Sequence, residues 1–176
     1  MSTVDTRALP SGTWRVDKVH SSIGFAVGYM AGKFLGTFSD FDVAVADGVL
    51  SGSAKVTSVQ VAEENLAAHL QGPDFFDAQA HPELTFTSDA IERTGDRVTI
   101  DGEITIKGHT EAVEISGEIS DPIADPYGGE RFGLTLRTVV DRDRFGVSWN
   151  NPLPNGEPAL SNEVTITAEL QMSKQA

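Results

Sequence analysis

Arg97-Val98-Thr99-Ile100-Asp101-Gly102-Glu103-Ile104-Thr105-Ile106-Lys107 puts Val98, Ile100, Gly102, Ile104 and Ile106 on one face and every charged or hydroxylated residue on the other. Alternation of period two marks a strand with one face buried and one wet. The pattern repeats at 112–119, where Val113, Ile115, Gly117 and Ile119 oppose Glu114, Ser116 and Glu118. Lys107-Gly108-His109-Thr110 between them is a compact turn signal, so the two segments predict a hairpin. Residues 131–141 align Phe132, Leu134, Leu136, Thr138 and Val140, and residues 163–172 align Val164, Ile166, Ala168, Leu170 and Met172.

Outward from these four strands the pattern becomes irregular. In 20–29 the bulky Ile23, Phe25, Val27 and Tyr29 alternate with Ser22, Gly24, Ala26 and Gly28, leaving one face nearly bare. The apolar phase slips inside 33–46, from Phe34 and Phe38 to Phe41, Val43 and Val45, and again inside 49–61. A phase slip implies a bulge or bend, as a closed barrel needs at its corners. A short helix is predicted over 62–71, with Leu66 and Leu70 four apart and a stop at Gly72-Pro73. Strands at 13–29, 33–46, 49–61, 84–92, 97–107, 112–121, 131–141 and 163–172 give an all-β, eight-stranded antiparallel β-barrel with one short helix. A two-sheet sandwich is the alternative.

Length and composition narrow the function. The 176 residues suit one domain, read as a flexible N-terminal arm over 1–12 followed by a single domain over 13–176. With 13 basic against 26 acidic residues the formal charge is −13, which repels nucleic-acid phosphates and anionic membranes. There is no cysteine, so disulfides and thiolate chemistry are excluded. No apolar run has the length of a signal peptide or a transmembrane helix, which gives a cytoplasmic protein without stable membrane insertion as the expectation.

Catalytic and metal signatures are missing. His20, His69, His81 and His109 stand at no two- or four-residue spacing, whereas a cupin-like metal barrel carries alternating histidines on one strand. Neither a Gly-x-Ser-x-Gly elbow nor a phosphate-binding glycine loop occurs. His20, beside Ser21 and Ser22, reads either as a buried imidazole bonded to a neighbour or as a ligand contact. The remaining signal is aromatic, and it fits a packed core or a ligand pocket. Strand glycines such as Gly24, Gly36, Gly52, Gly102 and Gly117 tilt it toward a pocket by leaving volume unfilled or by letting strands bend.

Several segments in order resemble the YceI-like family of polyisoprenoid-binding, lipocalin-like barrels. They are Trp14-Arg15-Val16-Asp17-Lys18-Val19-His20-Ser21-Ser22-Ile23-Gly24-Phe25, Gly32-Lys33-Phe34-Leu35-Gly36-Thr37-Phe38 and His69-Leu70-Gln71-Gly72-Pro73-Asp74-Phe75-Phe76-Asp77. His81-Pro82-Glu83-Leu84-Thr85-Phe86-Thr87-Ser88, Gly102-Glu103-Ile104-Thr105-Ile106-Lys107-Gly108-His109-Thr110, Arg142-Asp143-Arg144-Phe145-Gly146-Val147 and Ser161-Asn162-Glu163-Val164 follow. The resemblance implies a non-catalytic barrel that binds, carries or stores a long isoprenoid or similar amphiphilic lipid, and it implies no other cofactor. Many members carry an export leader, whereas none is expected here, and Ala67-Ala68 stands where a charged pair is expected from the family.

The expected lining is Phe25, Val27, Tyr29, Phe34, Phe38, Phe86, Ile104, Phe132 and Leu134, with Trp14 and Trp149 nearer the ends and His20 a further candidate. Arg142 and Arg144 are expected at the mouth, beside the loop ending in Trp149-Asn150. Because the chain is so acidic, a neutral head such as a quinone, alcohol or amide is expected over a diphosphate. The competing expectations are a filled barrel acting as a structural or interaction module, and a metal-dependent enzyme on a cupin-like barrel. Monomer and homodimer are both compatible with the sequence.

Overall fold

The computed structural model describes residues 8–175. Twelve strand segments make one antiparallel sheet: β1 (Trp14–Val16), β2 (Ser22–Tyr29), β3 (Gly32–Phe38), β4 (Phe41–Ala46), β5 (Val49–Lys55), β6 (Val59–Gln60), β7 (Glu83–Thr94), β8 (Arg97–Ile106), β9 (His109–Ile119), β10 (Ile123–Ala124), β11 (Glu130–Asp141) and β12 (Leu160–Lys174). One helix, α1 (Glu64–Gln71), lies between β6 and β7.

The segments merge into eight staves. β1 and β2 form one stave interrupted by a 3₁₀ turn at Lys18–His20, since both pair with the long β12. β3 and β4 form the next, bent at Ser39-Asp40, and β5 and β6 the third, bent by a 3₁₀ turn at Val56–Ser58. Each later stave pairs with its predecessor, and β12 pairs with β11 on one side and with β1 and β2 on the other. The result is a closed up-and-down barrel. Both predicted phase slips fall at these bends, where the inward face changes over.

The turns follow from local chemistry. Lys107 and Gly108 both have positive φ, 52° and 76°, which is the two-residue hairpin connection whose twist matches its strands. The predicted turn over 107–110 is therefore shorter, with His109 and Thr110 already in β9. Past the Ser88/Ala90 irregularity β7 no longer pairs with β5, so Ser88, 7 % exposed, takes the Leu50 N–H onto its Oγ at 2.9 Å. A side chain thus supplies the acceptor that the ladder has lost.

The two ends differ. At one, Trp14, Val45, Leu50, Val98, Ile119, Phe132 and Met172 close the barrel, and each is at most 3 % exposed. Of the expected N-terminal arm, residues 1–7 lie outside the described residues, while Ala8 and Leu9 are buried, so packing begins ahead of residue 13. At the other end, α1 with residues 72–82 and the segment 142–160 fold over the opening. Lys107 Nζ donates to Pro73 O at 2.6 Å and to Gly146 O at 3.2 Å, tying both covers to the β8–β9 hairpin.

Candidate functional site: an apolar cavity beneath two covers

Between the closed end and the covers lies a cavity of about 190 Å³, partly open to solvent. Its walls come from the inward faces of most staves, and Leu70, Phe75 and Phe76 reach in from the first cover. Four rings make one wall: Phe25 stands 6.0 Å from Phe34, 5.7 Å from Phe38 and 6.2 Å from Phe76, and Phe38 is 5.9 Å from Phe76. Most of these pairs meet edge to face, a favourable arrangement for aromatic quadrupoles.

Of the expected lining residues, Phe25, Val27, Phe34, Phe38, Phe86, Ile104 and Arg142 line this space. Trp14, Phe132 and Leu134 do not. They lie at the closed end at 1, 2 and 1 % exposure, with the Trp14 and Phe132 rings 4.8 Å apart and nearly perpendicular. Alternation assigns Phe132 and Leu134 inward but carries no information about depth along the barrel, and Trp14, expected nearer an end, lies at the closed one. Tyr29 is 39 % exposed at the end of β2.

His20 is neither buried nor in the cavity. Its side chain is 63 % exposed, and Nδ1 lies 2.7 Å from Asp17 Oδ2. Asp17 caps the 3₁₀ turn by accepting the Val19 N–H at 3.0 Å, and that turn carries His20 out of the strand. Arg144 is exposed, away from the lining. Arg131, near the other end, is tied to Asp17 and Asp125. Trp149 sits behind the lining, 4.8 Å from the His69 ring and 5.4 Å from Phe75, and joins the two covers.

The sequence reading missed part of the wall. Leu136, Val164 and Ile166 shared the predicted inward faces and could have been named from alternation alone. Phe75 and Phe76 sit in a turn-rich segment where no periodicity announces burial. The glycines also act differently from expectation. A Cβ on Gly36 would lie 2.4 Å from Phe25 Cζ, and one on Gly102 2.6 Å from Phe86 Cζ, so at these two positions aromatic rings occupy the room that the missing side chains leave.

Two arginines belong to the lining: Arg137 is exposed, whereas Arg142, in the 3₁₀ turn Arg142–Phe145, is buried at 5 % exposure. Its Nε donates to Ser161 O at 2.9 Å, and its Nη1 to Val147 O at 2.8 Å and Trp149 O at 2.7 Å. Nη2 is buried with no hydrogen-bond partner. Burial lowers the Arg142 pKa, and the charges of Asp143 and Asp141 act in the opposite direction. The guanidinium nevertheless stays protonated. Among the described residues no group of three or more His, Asp or Glu could hold a metal ion, and no helix is long and apolar enough to cross a membrane.

Fold and cavity together define a class: closed antiparallel barrels enclosing one apolar pocket. The family model described as YceI-like domain matches residues 14–172, and the chain belongs to that family. Protein YceI of Escherichia coli O157:H7 is 30 % identical over 145 residues, covering 76 % of this chain and 75 % of that protein. Among solved structures, Burkholderia cenocepacia BcnA aligns with a TM-score of 0.70 at 23 % identity, over 89 % of this chain and 98 % of that one. A polyisoprenoid binding domain from Saccharophagus degradans, implicated in plant cell wall breakdown, aligns with a TM-score of 0.70 at 9 % identity, over 92 and 98 %.

Proposed function

We propose that this protein is a non-catalytic carrier that takes the hydrocarbon part of an isoprenoid or similar amphiphilic lipid into its barrel. The observation carrying this reading is the apolar cavity under the covers. A filled interaction module would leave no such space, since well-packed interiors contain few voids larger than a water molecule. The Saccharophagus domain, described as polyisoprenoid binding, supports the same class of ligand by likeness of fold.

Size limits what enters. A dry cavity of about 150 Å³ accepts benzene, so about 190 Å³ suits one to two isoprene units. The remainder of a longer chain lies outside the cavity or displaces a cover. A diphosphate head is disfavoured by the net charge of −13. Native mass spectrometry after incubation with short prenyl alcohols should reveal a one-to-one complex that Phe25→Asp abolishes while its circular dichroism remains that of the wild type. Only unliganded protein, or uptake unchanged in Phe25→Asp, would contradict the reading.

A further inference from the structure

We infer that the ligand carries a lone carbonyl oxygen, an ester or ketone on a hydrocarbon chain, and that Arg142 Nη2 donates to it inside the cavity. The inference rests on the carrier reading and specifies the ligand's polar group.

A guanidinium has five N–H donors. Three of them are used: Nε on Ser161 O, and both hydrogens of Nη1 on Val147 O and Trp149 O. Both remaining donors belong to Nη2, which is buried and unpartnered in a residue that lines the cavity. A buried charged donor without an acceptor is costly, so the position calls for one.

The spent donors select the acceptor. Bidentate binding of a carboxylate or phosphate needs hydrogens from two neighbouring nitrogens, and on each edge of this guanidinium the partner of Nη2 already serves a backbone carbonyl. Only single-oxygen acceptors match. Among these, a hydroxyl or amide brings its own N–H or O–H into a wall with little to receive it. Apart from the Thr138 hydroxyl, whose oxygen can still accept while its proton goes to Glu114 O at 2.9 Å, the side chains of that wall are almost wholly apolar. An ester or ketone oxygen accepts only, and the rest of its molecule is apolar.

Arg142 also staples the 142–149 segment to β12, so the test must separate this from ligand contact. Calorimetry would compare a methyl ketone, a carboxylate and an alkane of one ten-carbon chain on wild type and Arg142→Met. The expectation is a loss of about tenfold for the ketone in the variant, typical of a hydrogen bond to a charged group, with less than about twofold for the alkane. Equal losses for ketone and alkane, an unchanged ketone, or tightest binding of the carboxylate would overturn the assignment.

If Arg142→Met does not fold, the infrared stretch of a ¹³C-labelled ketone bound to wild type decides. A shift to lower wavenumber relative to hexane supports Arg142 as donor, and no shift refutes it. Failure of every ligand to bind the wild type would instead refute the carrier reading.

Discussion

Asp17 organises three partners with one carboxylate. It accepts the Val19 N–H, lies against His20 Nδ1 and is bridged by Arg131. The bond to His20, then that to Arg131, lowers its pKa from 3.8 to about 2. A carboxyl that binds its proton less tightly folded than unfolded contributes stability above its unfolded pKa and loses it as pH falls through the folded one. Thermal melts should therefore show Asp17→Asn less stable than wild type at neutral pH, with the difference shrinking between about pH 4 and pH 2. A gap constant across that window would refute the role. His20 shows why this residue was opaque in the sequence: the apolar alternation starts right after it, and nothing in the spacing reveals that Asp17 turns the chain outward first.

Strands were legible because their cause is local. Alternation fixed the inward faces of β8, β9, β11 and β12, and phase slips located the bends after Phe38 and Lys55. What pins those strands at their distances is not local. Gly117 faces β11 so closely that a Cβ would lie 1.8 Å from Thr135 O, a backbone atom inside a paired ladder that cannot move aside alone. Gly117→Ala should cost roughly 1–3 kcal/mol, the usual range for overpacking, as read by urea denaturation. Gly48→Ala, at a turn open enough that a Cβ meets nothing within 4 Å, separates crowding from backbone strain, since its φ of +78° supplies only the latter. An unaltered midpoint in Gly117→Ala would mean that the β9–β11 contact is looser than described.

At the scale of the molecule, the two unlike ends decide where a ligand can go. Large aromatics seal one end, whereas the other is closed by segments hinged on loops and held by Lys107 and the His69, Phe75 and Trp149 rings. Barrel closure was readable from strand number and resemblance, but the position of the cavity along the axis was not, because it depends on which cover residues fold back. The covers are the least periodic parts of the chain, and Phe75 and Phe76 became visible as wall only in three dimensions.

The account stands on hydrocarbon entering this space, and the most direct measurement is calorimetric affinity across a series of n-alcohols of increasing chain length. Each methylene buried contributes about 0.8 kcal/mol, or roughly fourfold in affinity. Affinity should climb by that factor per carbon and level off near the length that about 190 Å³ holds. An affinity independent of chain length from the first member onward would contradict the account.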